Sequence, residues 1–529
     1  METLEDFASK WMITQLLVKE RAKYLRKNRG DKHHRLDKKE NLDKLSPRKM
    51  LSRMMPPRST WVRPSKRKEL AKGGMAARKI AEKALLLTIK RDERQQKVEG
   101  KTFGYLEEIN AYIDRIRKRL FEGQLQLKSP RLMPIFKDME KQADGTWKVT
   151  CRPLSVYTAL DDKIILALTS RYLSRYFNRY LHENILSYRP ARTFQGEEHH
   201  VTDFNDGITL IKAFREKHDK ECIYAADCDI KKFYDIIPHK VVRECFQRLL
   251  DSSPLDENGK TQVMRVLDAY LDSYNFYTNA LKESQEHPGV FYKVWKRLKD
   301  SERKNTYLLG KVGISDEEYL HRGVPQGGSL SLQIANIVLN DVDKVIVDKP
   351  DDNRLFVRYC DDMILLHTDY KECCRLKDCY ARSLMDHGLF YHDFEQVSES
   401  KYCPPEGKQA VATTKHFWEI KSHSPFLWGR GEGNSNYYIG FLGYEIGRGG
   451  HIRLRKSNIE KFDEKFVQLH YALRRYREKH PEDYLAYRKQ RLDNLMKGVE
   501  VYTAFDLEQF ELSAQYQHLE RQRARLEGQ

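Results

Sequence analysis

The segment that decides the fold is LFVRYCDDMILLH, residues 355–367, in which two adjacent acids, Asp361 and Asp362, interrupt an otherwise apolar run. Apolar residues on both sides of a short polar break predict two β-strands joined by a tight turn. Aspartate favours turns, so a polar hairpin tip is the plain structural interpretation of the pair. Two carboxylates at one strand tip nevertheless repel each other unless cations neutralise them. The pair is therefore also a candidate metal site.

A second acidic segment, DCDIKKFYDIIPH (residues 227–239), follows an apolar strand-like run and places Asp229 at a strand end. Asp227 lies two residues earlier and faces the same side of a regular strand. Nucleotidyl transfer uses two divalent metals about 3.5–4 Å apart, held by carboxylates on neighbouring strands. A protein with this chemistry must bring aspartates from two distant segments side by side, and the chain contains two such segments.

Further motifs occur in a fixed order around the two acidic segments. They are Arg152-Pro153-Leu154, Ser187-Tyr188-Arg189-Pro190, GVPQGGSLS (323–331), Gly388-Leu389 and Phe441-Leu442-Gly443-Tyr444. Together with DIKKFYD (229–235) and YCDD (359–362), they resemble the motifs of bacterial reverse transcriptases over roughly residues 100–460. The resemblance implies an RNA-directed DNA polymerase, a nucleotidyltransferase with fingers, palm and thumb.

The resemblance also implies roles for individual acids. Asp229 and Asp361 would ligate two Mg²⁺ ions with help from the carbonyl of Ile230, and Asp362 would be the adjacent catalytic acid. Mn²⁺ is left open as a substitute. The FYD spacing favours Asp229 over Asp227 as the ligand. The primer grip would consist of Phe441, Leu442, Gly443 and Tyr444.

Four residues would bind the incoming dNTP. Arg152, together with Lys148, would hold its triphosphate, a task that suits the bidentate geometry of a guanidinium. Gln326 lies in a glycine-flanked loop whose backbone can approach a nucleotide closely. Tyr234 follows the first catalytic acid by five residues, where reverse transcriptases block a ribose 2′-hydroxyl, so the resemblance implies selection of deoxynucleotides. Asp235 is expected to be a structural acid.

The basic charge is concentrated at the N-terminus. The chain of 529 residues has a net charge of +18, and residues 1–100 contain 28 Lys and Arg against 13 Asp and Glu. A concentrated basic region is typical of nucleic-acid contacts. The alternatives are a solvated helical arm or a docking element for a second copy of the protein. The candidate nucleic-acid contacts are Arg26, Lys27, Arg63, Lys66, Arg67 and Lys68.

The fold class predicted is α+β, a right-hand polymerase whose palm is an antiparallel sheet backed by helices. The domains expected are a basic and mainly helical N-terminal extension (1–100), fingers (101–220), a palm (221–450) with a polar insertion (251–320), and a helical thumb with a C-terminal tail (451–529). Apolar periodicity predicts helices over about 10–28, 76–96, 105–121 and 159–177. Strands are expected over 132–137, 146–154 and 223–230.

The nine cysteines form no CxxC pair, which argues against a disulfide framework and fits a reducing compartment. Cys373, Cys374 and Cys379 lie near His367 and His387, but the spacing matches no standard zinc pattern, so ordinary helix residues are the better interpretation. No apolar run approaches the ~18–20 residues that span a bilayer. We expect a cytoplasmic protein with no membrane partner.

The biological role is less constrained. The sequence contains neither the paired CxxC segments of group II intron enzymes nor a retron-like thumb signature. This favours a free-standing, defence-associated bacterial enzyme. Such an enzyme would use a non-coding RNA as template and make DNA. Intron-derived and retron-like enzymes remain alternatives, as does a non-catalytic RNA-binding homologue. Retention of Asp229, Asp361 and Asp362 favours catalysis, because a degenerate site loses its metal-binding carboxylates first. A homo-oligomer is left open.

Overall fold

The computed structural model describes residues 1–24, 47–64, 77–141, 147–187, 189, 192–194, 197–199, 204–286, 315–397, 417–431, 434–503 and 510–528. It confirms the predicted mixture of helix and sheet. No helix within these ranges is long and apolar enough to cross a membrane. Several residues singled out from the sequence lie outside the described ranges, namely Arg26, Lys27, Lys66, Arg67, Lys68, Tyr188 and Pro190.

Apolar periodicity predicted four of the α-helices that the structure describes, over about 10–28, 76–96, 105–121 and 159–177. The described α-helices are α1 (Leu4–Phe7), α2 (Lys10–Lys23), α3 (Pro47–Met54), α4 (Ala77–Glu99), α5 (Gly104–Phe121), α6 (Leu160–Tyr176), α7 (Phe204–Lys217), α8 (Phe233–Ile236), α9 (His239–Asp251), α10 (Glu257–Asp272), α11 (Phe276–Glu286), α12 (Asp316–Leu320), α13 (Ser331–Val347), α14 (Tyr370–Asp386), α15 (Lys456–Lys479), α16 (Tyr484–Thr503) and α17 (Phe510–Glu527).

The described strands include the predicted hairpins. They are β1 (Arg131–Lys141), β2 (Trp147–Val156), β3 (Arg192–Phe194), β4 (Glu197–His199), β5 (Tyr224–Cys228), β6 (Arg354–Tyr359), β7 (Asp362–His367), β8 (Phe394–Glu395), β9 (Ser422–Trp428), β10 (Ser435–Asn436), β11 (Tyr438–Phe441), β12 (Tyr444–Gly447) and β13 (Ile452–Leu454).

The chain divides into two compact units. Unit 1 contains residues 1–181, 232–341 and 387–389, and unit 2 contains residues 182–231, 342–386 and 390–529. Unit 1 is mainly helical and carries the antiparallel β1–β2 hairpin, against which α11 packs. Unit 2 holds the central sheet and the C-terminal helices. The domain boundaries predicted from the sequence stay predictions.

The first 24 residues belong to the core of unit 1. Helix α2 packs against α4, α5 and α6, and Leu4, Ile13 and Leu17 are fully buried. Two backbone carbonyls of this segment, those of Glu5 and Ala8, accept hydrogen bonds from Arg117 at 3.0 and 2.6 Å. The N-terminal region is therefore not uniformly a basic surface arm, because its first helices bury apolar side chains as any core helix does.

The predicted polar insertion over residues 251–320 needs a correction. Its described part contains α10 and α11, and α10 buries Val266, Leu267, Tyr270 and Leu271. Asp256 caps α10 by accepting a hydrogen bond from the backbone N–H of Gly259 at 2.8 Å. Polar residues on the outer face concealed this amphipathic helix in the sequence, because average polarity hides a 3.6-residue period.

The central sheet of unit 2 has the strand order β10-β9-β5-β7-β6, with β8 also paired to β9. The four longer strands pair antiparallel, as predicted for the palm, whereas the two-residue strands β8 and β10 pair parallel with β9. Helix α14 packs against β5, β7 and β9, and α7 packs against β6. Helices therefore back the sheet, which buries the runs on either side of the acidic hairpin tip.

The C-terminal part of unit 2 is helical, as predicted for the region after residue 455. Helix α15 packs against α16 and α17, and α17 contacts β13. These helices share a separate apolar cluster that includes Phe462, Phe466, Leu492 and Leu519. The side chain of Gln515 bonds both the backbone N–H and the carbonyl of Leu454, at 2.8 and 3.0 Å, which joins α17 to the small sheet before it.

Candidate active site

The acidic pair lies at the tip of the β6–β7 hairpin. Tyr359 and Asp362 are the last paired residues, and Cys360 and Asp361 form the turn. Cys360 has φ +57°, a left-handed conformation that costs a residue with a Cβ about 1–2 kcal/mol. The hairpin predicted from the sequence is confirmed, and its turn is held in an uncommon backbone state next to the candidate ligand.

Strand β5 brings the first acidic segment to the same place. Cys228 pairs with Met363 across the β5–β7 ladder, so the next step of the register sets Asp229 opposite Asp362. Asp229 is fixed through its backbone: its N–H donates to Ser422 Oγ at 3.0 Å, and its carbonyl accepts from the N–H of His392 at 2.9 Å. Acids more than 130 positions apart in the chain thereby share one sheet end.

The electrostatics of this sheet end oppose the presence of several negative charges. Burial raises the pKa of Asp229, and the Asp361 and Asp227 carboxylates raise it further, while His392 and Lys421 act in the opposite direction. Lys421 Nζ lies 3.8 Å from Asp229 Oδ2, at the outer limit of an ion pair. The carboxylates therefore gain from any cation that enters between them.

Asp362 is the most strongly perturbed acid of the group. Although the residue is exposed at the hairpin tip, the surrounding protein removes water from its carboxyl group and, with Asp361 and Asp229, raises its pKa to about 7. Arg455 partly offsets this effect by favouring the charged form. A carboxyl group whose pKa is raised by removal of water and by neighbouring carboxylates is a candidate for a functional site.

Asp227 is engaged elsewhere, which separates it from the candidate ligands. His423 donates to its carboxylate from ring Nδ1 at 2.8 Å and from its backbone N–H at 3.0 Å. The other ring nitrogen of His423 lies 3.1 Å from the carbonyl oxygen of Phe417, and the two rings stack with centroids 4.1 Å apart. His423 therefore engages Asp227 on β5, whereas no histidine among the described residues hydrogen-bonds the carboxylate of Asp229, which follows the strand.

This arrangement agrees with a sequence comparison. Residues 139–393 match the family described as reverse transcriptase (RNA-dependent DNA polymerase). The chain carries a reverse transcriptase domain. The match agrees with the class of domain that the motifs predicted. The family generally uses divalent metals, which fits the carboxylate cluster of unit 2.

Solved structures similar to this chain include fungal telomerases. Apo telomerase from Candida tropicalis is 14% identical with a TM-score of 0.36, and the match covers 76% of this chain and 60% of that one. Telomerase from Candida albicans, solved with a TWJ fragment of telomeric RNA, is 13% identical with a TM-score of 0.31, covering 80% and 66%. The chain thus spans 60% of the length of the Candida tropicalis protein. Curated protein sequences give no significant match.

The predicted primer grip forms a tight hairpin between β11 and β12. Phe441 pairs with Tyr444, leaving Leu442 and Gly443 as a two-residue loop with φ +51° and +88°. Positive φ at both central positions matches the twist of the flanking strands. The carbonyl of Gly443 accepts bonds from Asn458 Nδ2 at 3.0 Å and from the backbone N–H of Arg455 at 3.1 Å. The loop is thereby tied to the start of α15.

The predicted nucleotide-binding residues that the structure describes lie in unit 1. Gln326 donates from Nε2 to Asp235 at 2.9 Å, and its carbonyl accepts from the N–H of Ser155 at 2.8 Å. Asp235 therefore orients the glutamine, in agreement with a structural role for this acid. Tyr234 is half-buried and packs edge-on against Phe233 with ring centroids 5.2 Å apart. Gly327, beside Gln326, has φ +80°, which only glycine adopts without strain.

The remaining predicted contacts are less informative. Arg152 lies on β2 and is exposed, as its proposed task requires, while only the backbone position of Lys148 is described, opposite Glu140. Arg63 is exposed after the short 3₁₀ turn Arg58–Thr60. Arg152 and Arg63 are thus accessible to solvent, and their contacts with phosphate stay predictions.

The sequence analysis missed several residues that surround the acids. Lys421 precedes β9, and Ser422 and His423 begin it. Arg455, which precedes α15, stacks 3.5 Å above the ring of Trp418. No spacing rule links them to Asp229, because they approach it only through sheet pairing. Arg358 could have been noticed in the sequence, because a charged residue within an apolar strand is expected to pair with a buried residue of opposite charge.

The one group of His, Cys, Asp and Glu side chains among the described residues that is close enough to share a metal ion lies in unit 1 and does not include the acids of unit 2. Within the described ranges, the ligand atoms of Cys245, Asp341 and His387 lie within 4.8 Å of one another. Arg248 donates to Asp341 at 2.7 Å and to Cys245 Sγ at 3.3 Å, so a guanidinium already supplies the positive charge. Cys373 is instead buried on α14, as expected for a helix residue. The structure gives no support for a zinc site among the cysteines near His367.

Proposed function

We propose that the chain extends a primer on an RNA template with dNTPs by two-metal nucleotidyl transfer, with Asp229 and Asp361 as shared ligands and Asp362 as the adjacent acid. The observation that carries this proposal is the β5–β7 register, which sets Asp229 opposite Asp362 and next to the Asp361 turn at one end of the sheet. No ordinary structural role requires three acids to repel one another at one sheet end.

The donor atoms fit Mg²⁺. Carboxylate oxygens, with the carbonyl of Ile230, are the hard ligands that this cation prefers, and no thiolate or imidazole is needed. Divalent cations supply activation of the primer 3′-hydroxyl and charge neutralisation at the transferred phosphoryl group. The chain itself contributes fixed geometry: Ser422 and His392 hold the backbone of Asp229, and the paired strands hold the hairpin. Preorganised ligands reduce the reorganisation that the reaction requires.

We further propose that Arg152, Lys148, Gln326 and Tyr234 bind the incoming dNTP, and that the loop at Gly443 grips the primer. These roles are supported by the motifs and by the restraints on Gln326 and on the loop carbonyl. A cytoplasmic, defence-associated bacterial enzyme with a non-coding RNA partner is the biological role that the motif order favours. Sequencing the nucleic acids that co-purify with the protein tests it; intron or retron RNA would contradict it.

The central test compares two acids of one strand. Asp229→Asn should reduce primer extension on an RNA template on the order of 10³-fold, because removal of a metal ligand costs several kcal/mol of transition-state stabilisation. Asp227→Asn should retain most activity, since His423 and not a cation engages that carboxylate. Asp361→Asn should behave like Asp229→Asn. Labelled dNTP incorporation measures activity, and circular dichroism verifies folding; normal synthesis by Asp229→Asn or Asp361→Asn would contradict the assignment.

A further inference from the structure

A fully buried ion pair lies beneath the acidic hairpin of unit 2. Arg358 Nε on β6 lies 2.7 Å from Asp343 Oδ2 on α13, and both side chains have 0% exposure. The backbone of Arg358 is fixed on its outer side, since its N–H donates to the Asn184 carbonyl at 3.1 Å and its carbonyl accepts from the Leu186 N–H at 2.9 Å. Burying two charges incurs a desolvation penalty that their attraction often only balances.

The pair is not arranged for maximum stability. Within the described part of the chain, Arg358 Nη2 and Asp343 Oδ1 have no hydrogen-bond partner although both are buried. Such unsatisfied groups cost free energy, and an apolar pair of similar volume would avoid the cost. A contribution to stability therefore does not account for this ion pair, and its effect on the neighbouring backbone has to be considered.

That effect is visible in the second hydrogen bond of the guanidinium. Arg358 Nη1 donates to the carbonyl oxygen of Cys360 at 2.8 Å. Cys360 is the residue with φ +57° that immediately precedes Asp361. Because a left-handed backbone is unfavourable for cysteine, an external restraint on its peptide group is needed to keep the turn in one conformation. Asp343 holds the guanidinium in place, and the guanidinium holds the turn.

We propose that Arg358 is a positioning residue for the polymerase reaction, anchored by Asp343, and that it fixes the Cys360 turn so that Asp361 is presented to the metal ions. Arg358 contacts neither substrate nor metal and acts through the backbone of the turn. The inference rests on the proposed role of Asp361 as a ligand. Loss of an interaction that orients a ligand typically weakens metal affinity or activity about 10–100-fold.

The decisive variant removes both charges, Arg358→Met with Asp343→Leu. It should melt close to the wild-type temperature, because neither charge is left buried and unpaired. The same variant should require a Mg²⁺ concentration at least about tenfold higher for half-maximal primer extension and have a lower kcat. The KM for dNTP at saturating Mg²⁺ should stay near the wild-type value. Wild-type Mg²⁺ dependence and rate in this folded variant would show that the pair is merely structural.

A conservative variant keeps the test decisive if the double variant does not fold. Arg358→Lys retains the ion pair but replaces a rigid fork by one ammonium, which cannot maintain both the Asp343 and the Cys360 bonds in the same geometry. It should fold and still show a raised Mg²⁺ midpoint; an unchanged midpoint would overturn the proposal.

A matched control comes from unit 1, where Arg119 bonds the fully buried Asp162 at 2.6 Å. Arg119→Met with Asp162→Leu should change stability alone and leave the Mg²⁺ midpoint unaltered. Asp361→Asn distinguishes failure of the proposed function from failure of the positioning role. If it is active, the proposed function fails; if it is inactive while the Arg358/Asp343 double variant behaves as wild type, only the positioning role fails.

Discussion

Removal of one negative charge from the acid cluster should stabilise the metal-free protein. Asp362 has its pKa raised to about 7 from an ordinary 3.8, so its ionised form is disfavoured in the folded state. The resulting penalty is absent below the ordinary pKa, grows as the pH rises, and is complete above pH 7. Asp362→Asn should therefore increase stability at pH 8, an unusual result because most substitutions destabilise.

The magnitude follows from the size of the pKa change. The interval between 3.8 and about 7 corresponds to about 4 kcal/mol. Because Asp362 is exposed, solvent screening reduces this to about 1 kcal/mol. For a unit of 150–250 residues, such a gain raises the melting temperature by about 2–4 °C. At pH 5.5 the gain should be no larger than at pH 8, because the Asp362 carboxyl group of the folded wild type is less fully ionised at the lower pH.

Thermal unfolding in the presence of EDTA, followed by circular dichroism at pH 8 and pH 5.5, measures this effect. Added Mg²⁺ should stabilise the wild type more than the variant, because a ligand of the folded state stabilises in proportion to its affinity. Asp378→Asn, on the exposed face of α14, is the matched control and should be neutral. Equal melting temperatures of the wild type and Asp362→Asn at pH 8 would refute the argument that these carboxylates repel one another.

Two further predictions concern nucleic acid and sugar. Tyr234→Val should raise the ratio of rNTP to dNTP incorporation about tenfold or more, because it removes the aromatic ring that blocks a 2′-hydroxyl. Tyr234→Phe keeps the ring and should leave the ratio unchanged. An unaltered ratio in an active Tyr234→Val variant would show that other residues select the sugar. Joint replacement by alanine of five N-terminal cations should lower the slope of log K against log salt for single-stranded RNA by up to about 3.5 while primer extension on an annealed template continues. The replaced residues are Arg26, Lys27, Lys66, Arg67 and Lys68. The same slope with a changed oligomeric mass would indicate an assembly element. Deletion of residues 1–24 is not an equivalent experiment, because it removes part of the unit 1 core.

Local periodicity was sufficient for much of the fold. The alternation and apolar runs around Asp361 and Asp362 predicted a hairpin, and β6 and β7 form it. Helices α5 and α6 lie within one or two residues of their predicted bounds. These features follow from the conformational preferences of neighbouring residues and from the period of the buried face, which a single sequence contains. The order of the motifs likewise indicated the enzyme class before any coordinates were considered.

The detailed site required tertiary structure. From the sequence, Asp227 and Asp229 differ only by two positions on one strand face. The distinction depends on His423, which reaches Asp227 from β9 across 196 positions. The pairing of Arg358 with Asp343 and the burial of the first helix turns in unit 1 are equally non-local. Such contacts depend on which helices and strands pack together. The sequence shows that a side chain is charged, but not whether it contacts water, a metal ion or a buried partner.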